Sequence, residues 1–325
     1  MPVPAAGLGY LRFLLRAETD GILAESKRAA PTKIPEPREI RALLKILIGR
    51  GVRRIRLTGD DPAQRADLID VVAMISGMAG VSSVTATTRG IGLDERVGAL
   101  VEAGLRGVNF HLNTLRPERY EGGGREAEFA AVWRAIEACL AAGITVKVNT
   151  VLERDVNSDE LADFVDLTAS LPIDVRFVEW NVDIDLIPPP ERFIPTWELM
   201  SQIGPPLQAV GTSEQNGPAL IFKAPDHQGA IGFIPNVSDH FCSECHRMGL
   251  TDAGEIVSCV FGRGLDVMRH LRGENGIADA ETFIDRVIRR KTSLAAKLAG
   301  FERPAMMAPS ASDRDAGRRQ PSSGL

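Results

Sequence analysis

From about residue 36 the chain alternates between two hydrophobic patterns. Short β-branched runs read as strands: RRIRLT (53–58), VTATT (84–88), GVNFHL (107–112), ITVKVNTV (144–151) and DVRFVE (174–179). Between them lie amphipathic stretches such as 125–142, where Phe129, Val132, Trp133, Ile136 and Leu140 share one helical face. Strand and helix repeating in this order predict a parallel sheet or barrel. With YLRFLL (10–15) as the first strand there are about six β–α units, fewer than the eight that close a barrel. The expectation is an α/β fold: a partial (β/α)6 barrel over residues 1–185, open on one side.

After residue 186 the rhythm breaks at Pro188, Pro189 and Pro190. Short strands around 219–223 and 230–234 and a helix at 280–299 predict a C-terminal α+β extension, residues 186–300, that caps the open side. Residues 301–325, rich in Pro, Ser, Ala and charge, read as a disordered tail.

Composition narrows the setting. With 325 residues, 44% hydrophobic and 25% charged, the chain can bury a large core. A net charge of -5 argues against a nucleic-acid partner and confines any anion site to a local basic pocket. The opening MPVPAAGLGYLRFLLR carries arginines within its apolar stretch, so no secretory leader is expected, and no window approaches a membrane span. A cytoplasmic location is the expectation.

Several strand runs are interrupted by cations: Arg12 on the first, Arg54 and Arg56 on the second, Lys147 on the fifth and Arg176 on the sixth. A lone buried cation is costly, so each must meet a counter-charge. Two explanations stay open: convergence on a polyphosphate, or pairing with internal carboxylates such as Glu179, Asp60 or Asp61.

Three of the four cysteines cluster in FCSECHRMGLTDAGEIVSCVF, as Cys242, Cys245 and Cys259. A C-x-x-C turn presents two thiolates to one metal ion, and a third returning from the next strand closes three sides of a site. Iron–sulfur, or zinc with His240 or His246 as fourth ligand, both fit this spacing. Cys139, beside the apolar stripe of 125–142, reads as a small buried hydrophobe, and the glycines at 122–124 as a turn. His111 alternates with core positions and reads as a structural histidine.

The segments RIRLTGDDPAQR, ATTRG, GLRGVNFHLNTL, VKVNTVLERDVNSDEL, VRFVEW, GPA and IGFIPNVSDHFCSECHRMGLTDAGEIVSCVFG resemble, in order and spacing, the molybdenum-cofactor GTP 3′,8-cyclases over roughly residues 10–272. These are lyases of the radical S-adenosylmethionine type with a partial barrel. The resemblance implies that Cys242, Cys245 and Cys259 hold a C-terminal [4Fe–4S] cluster whose cysteine-free iron contacts guanine. It matches Arg12, Arg56, Thr87, Lys147 and Arg247 to positions that contact GTP, and Arg176 joins them as a further strand cation. Gly249 departs from the pattern, because relatives usually carry a second arginine there.

The family also carries a C-x-x-x-C-x-x-C loop after the first strand for the cluster that cleaves S-adenosylmethionine. Here that loop reads AETDGILAESKRAAP, and no cysteine or histidine occurs before His111. The resemblance therefore implies S-adenosylmethionine and an N-terminal [4Fe–4S] cluster whose ligands this chain lacks. Positions that contact S-adenosylmethionine in the family have changed as well: Asp60 replaces a glycine and Asp61 a glutamate of GGEP, His111 a serine and Asn181 a methionine. Three readings follow: a cyclase homologue that keeps guanine nucleotide but has lost radical initiation; an active cyclase completed by a partner chain; or a non-catalytic regulator that forms homodimers or pairs with a functional cyclase.

Overall fold

The computed structural model describes residues 8–15, 35–120, 125–179, 190–203, 206–211, 219–238, 245, 247–259 and 264–299. The first-strand loop, Cys242, His240, His246, Asn181, the glycines at 122–124 and the tail 301–325 lie outside the described residues.

Six parallel strands form the centre: β1 (Tyr10–Leu15), β2 (Arg54–Gly59), β3 (Ser83–Thr88), β4 (Leu105–His111), β5 (Thr145–Thr150) and β6 (Ile173–Val178). Each lies within two residues of the run that the alternation predicts. The helices α1 (Pro37–Gly49), α2 (Leu68–Ser76), α3 (Val97–Glu102), α4 (Arg125–Ala141) and α5 (Leu161–Ser170) connect them. Helix α1 opens with Pro37 at a position that needs no N–H, and the Glu39 carboxylate reaches back to accept from the Glu36 N–H at 2.8 Å.

Beyond them follow α6 (Thr196–Gln202), β7 (Gln208–Gly211), β8 (Leu220–Lys223), β9 (Ile231–Ile234), β10 (Arg247–Thr251), β11 (Glu255–Val257), β12 (Leu265–Asp266), α7 (Met268–Leu271) and α8 (Ile277–Ala299). The extension does not form a separate sheet. Strand β9 pairs parallel with β6, β10 pairs parallel with β1, and the sheet runs β12-β11-β10-β1-β2-β3-β4-β5-β6-β9-β8-β7. The C-terminal segment therefore continues both edges of the partial barrel.

Alternation divides the two faces of the strands. Leu11, Phe13, Ile55, Leu57, Val108 and Phe110 are almost wholly buried and form the core with the helices. At about 25 cal/mol per Å² of apolar surface, this face is where burial stabilises the fold. On α4 the buried seam runs through Val132, Ala135, Ile136 and Cys139, while Phe129, Trp133 and Leu140 pack partly buried beside it. Cys139 thus lies within the seam rather than next to it, and burial pushes its thiol up to about 12, which makes it an inert core residue.

Helix α8 docks through Ala280, Ile284, Val287 and Ile288, at helical spacing. Arg50, at the end of α1, grips it from the barrel side, with Nε donating to Asp285 at 2.9 Å and Nη1 to Glu281 at 3.2 Å. Among the described residues no helix is long and apolar enough to cross a membrane.

Candidate functional site

The other face of the strands lines the lumen, and it is polar. Register carries it from strand to strand: Tyr10 stands between Arg247 and Arg54, Arg12 between Gly249 and Arg56, and Arg56 opposite Thr85. Thr87 stands opposite Asn109, Asn109 opposite Lys147, Lys147 opposite Asp174, and Arg176 between Asn149 and Gly232. The structure thus brings Arg12, Arg56, Thr87, Lys147, Arg176 and Arg247 onto one inner surface. Parallel pairing with matched register is what turns residues scattered over more than two hundred positions into neighbours.

Arg56 lies at the centre of this surface. Its guanidinium sits over the Tyr10 ring, 5.3 Å from the centroid, and Nε donates to Thr85 Oγ1 at 3.4 Å. With the Asn109 amide oriented oxygen-first, Oδ1 accepts from Nη1 at 2.7 Å and Nη2 at 3.2 Å. Burial pushes the Arg56 guanidinium below its ordinary value; Tyr10 opposes this, and Arg12, Arg247 and Arg54 push further down. Arg176, 2% exposed, is driven to about 10 by burial and by Arg56. Arginine remains protonated in both cases.

Lys147 is held at about 8, chiefly by burial and by Arg176, although Asp174 accepts from its Nζ at 3.3 Å and pulls the other way. That ion pair adds a carboxylate not expected from sequence: Asp174 stands against Lys147. Glu179 instead accepts from the backbone N–H groups of Thr196, Val237 and Ser238, each at 2.8 Å, and ties the extension to the end of β6.

Asp61 is likewise committed. It is 4% exposed and accepts from Ala63 N at 3.2 Å, from Thr88 Oγ1, and from Arg89 N at 3.3 Å and Nε at 3.5 Å. Its carboxylate fixes the turn after β2 to the end of β3. Gly59 just before it has φ +120°, and a Cβ there would lie 2.0 Å from the Leu15 carbonyl, so only glycine fits. Asp60 follows, its N–H bonded to Leu15 O at 3.2 Å.

His111 ends β4 beside Asn149 and is exposed, so it stands at the lumen edge, on the face that alternates with core positions as expected. Partial desolvation at the barrel mouth, then Arg12, lower its imidazole from the ordinary value, Asp61 opposing and Arg56 adding. The neighbouring Asn149 is 9% exposed, and its Oδ1 is a buried acceptor with no donor among the described residues.

Two glycines shape the surface. A Cβ on Gly232 would touch the Arg176 stem at 3.0 Å, so glycine leaves Arg176 its room. A Cβ on Gly249 would meet Val257 at 2.9 Å and Leu14 at 3.2 Å, so apolar side chains occupy the volume a larger residue would take.

Cys245 and Cys259 lie at one end of the β10–β11 pair, whose register sets Gly249 against Val257. Lys291 Nζ spans them, 3.5 Å from Cys245 Sγ and 2.7 Å from the Ser258 carbonyl. Burial raises the Cys245 thiol, but Lys291 and the N–H and charge of Arg247 together bring it below its ordinary value. Soft thiols in cationic surroundings suit an iron–sulfur cluster or another thiophilic metal. Sequence reading missed Tyr10, Asn109, Asp174 and Lys291. The first three sit at alternate positions of recognised strands, so their face was readable but their partners, set by register between strands, were not, whereas Lys291 is brought in by helix packing alone.

Two family models match in order, the Radical SAM superfamily over residues 24–168 and Molybdenum Cofactor Synthesis C over 173–296. The GTP 3′,8-cyclase of Moorella thermoacetica is 35% identical over 260 residues, covering 79% of this chain and 79% of that protein. Molybdenum cofactor biosynthesis protein 1 of Mus musculus is 36% identical over 78% of this chain and 40% of its own length. Among solved structures, Streptococcus suis SuiB bound to S-adenosylmethionine superposes with TM-score 0.53 at 12% identity, covering 80% of this chain and 63% of that one, a likeness of fold. With both models in sequence and a third of its residues shared across most of its length, the chain belongs to the GTP 3′,8-cyclase family of molybdenum-cofactor biosynthesis, within the radical S-adenosylmethionine superfamily.

Proposed function

We propose that this chain binds a guanine nucleotide in the lumen, against a C-terminal [4Fe–4S] cluster, and does not cleave S-adenosylmethionine. The observation that carries the first half is the cationic lumen: Arg12, Arg56, Lys147, Arg176 and Arg247 crowd one surface, and burial and mutual repulsion depress Arg56, Arg176 and Lys147. Such crowding weakens the empty fold and is relieved by a polyanion. The guanidinium forks supply bidentate contacts to phosphate oxygens and Lys147 a point charge. Asn149 Oδ1 offers a buried acceptor to a ligand donor.

Cys242, Cys245 and Cys259 would hold the cluster, and three thiolates leave one iron without a protein ligand, open to the guanine. The N-terminal cluster does not fit. The first cysteine in the sequence is Cys139, which is wholly buried, and Glu18, Asp20 and Glu25 offer hard oxygen donors that suit an iron–sulfur cluster poorly. With Asp60 where relatives have glycine, and Asp61 spent on the β2–β3 turn, the rim offers no replacement ligand set among the described residues.

The test is calorimetry on anaerobically reconstituted protein, titrated with GTP and then with ATP. Saturable binding of GTP, weaker for ATP and weakened by salt, is expected. Protein that holds about four irons per chain yet gives no GTP heat contradicts the reading.

A further inference from the structure

The buried stripe of α8 runs Ala280, Ile284, Val287 and Ile288, and the next position on it is Lys291. A lysine where an apolar residue would continue the packing needs a reason. Among the described residues its ammonium meets no carboxylate: Nζ donates to the Ser258 carbonyl at 2.7 Å and lies 3.5 Å from Cys245 Sγ. These contacts join the two arms that carry Cys245 and Cys259, from a lysine 32 residues beyond Cys259 on a helix anchored independently through Arg50 to Asp285 and Glu281.

We propose that Lys291 is a positioning residue of the cysteine site, resting on the reading that the trio holds a [4Fe–4S] cluster. Through Ser258 O it fixes the direction in which Cys259 leaves β11. Through Cys245 Sγ it places a positive charge and an N–H donor against a cluster thiolate. Hydrogen bonds and net charge around the sulfurs set the potential of such clusters, and a cation there favours the reduced, more negative state. Lys291 therefore raises the reduction potential and slows loss of iron, without touching the nucleotide.

The experiment uses the full chain, reconstituted with iron and sulfide, as wild type, Lys291→Met, Lys291→Gln and Lys291→Arg. The readouts are iron per chain, the rate of iron release to a chelator, and the cluster's midpoint potential followed by electron paramagnetic resonance. Lys291→Met is expected to favour the oxidised cluster about tenfold, a midpoint roughly 59 mV lower for one electron, and to release iron several-fold faster. Lys291→Arg, which keeps charge and donors, recovers at least half of both effects. Lys291→Gln keeps a neutral donor for Ser258 O, so it holds the fold if Met does not, yet it still lowers the midpoint. Clusters with unchanged potential and release rate in Met and Gln variants overturn the inference and leave the proposed function standing. Wild type with no iron–sulfur absorbance overturns both.

Discussion

The lumen surface and the rim above β2 are both built from charged side chains, and they treat charge in opposite ways. At the rim, the Asp61 carboxylate is satisfied by protein donors from Ala63, Thr88 and Arg89, and the charge serves the fold. Lower in the lumen, Arg12 faces Arg56 across a strand pair, and burial, then Arg176, lower Lys147 to about 8, so like charges are held together against the fold's interest. A protein keeps such frustration where a ligand of opposite charge relieves it, and ties up a carboxylate where nothing needs to bind. On the function proposed above, the substrate half would keep its chemistry while the initiating half serves the fold.

The sharpest way to break that comparison is at the cysteines. Cys259→Ser removes one of three thiolates, and iron after reconstitution is expected to fall from about four per chain to near zero. Retention of full iron content would mean that the metal is held elsewhere.

The next effect separates lumen from rim by sign. Arg56→Met is expected to weaken GTP binding roughly 10- to 100-fold by calorimetry, yet to raise the melting temperature, because relief of repulsion from Arg12, Arg247 and Arg54 outweighs the lost bonds to Asn109 and Thr85 and the lost Tyr10 contact. Asp61→Ala should do the reverse for stability. It strands the donors of Ala63, Thr88 and Arg89 and costs about 3 kcal/mol, read as a fall in denaturation midpoint. Two changes of the same sign would dissolve the distinction.

How much of this was legible in sequence follows from which forces place each group. The strands were readable because their outer faces need apolar residues at every second position, as Leu11, Phe13 and Leu15 show. By the same alternation Arg12, Arg56, Lys147 and Arg176 had to share the opposite face. Their partners were hidden, since the pairing of Lys147 with Asp174 depends on register between strands rather than on either strand alone. The reach of Lys291 to Cys245 depends on how α8 docks and left no local pattern. Gly249 was recognised as a departure, but only packing explains it, because Leu14 and Val257 have closed over the space.

A smaller effect comes from pH. Lys147 is depressed to about 8, so it is charged below that value in free and bound protein alike. Above it, the free protein loses the proton and a bound polyphosphate must recover it. GTP affinity is therefore expected to fall by up to tenfold per pH unit above about 8, with proton uptake visible as buffer-dependent heat. Fold stability moves the other way: the unfolded lysine keeps its proton to about 10.5, so stability contributed by this group rises between pH 8 and 10.5. A Lys147→Met variant should lose the pH dependence of binding.

The most direct test of the central claim is an anaerobic assay for 5′-deoxyadenosine, with S-adenosylmethionine and a strong reductant, in the presence and absence of GTP, on protein whose iron has been counted. About four irons per chain, GTP bound and no 5′-deoxyadenosine is the predicted result. About eight irons with GTP-dependent 5′-deoxyadenosine would contradict it.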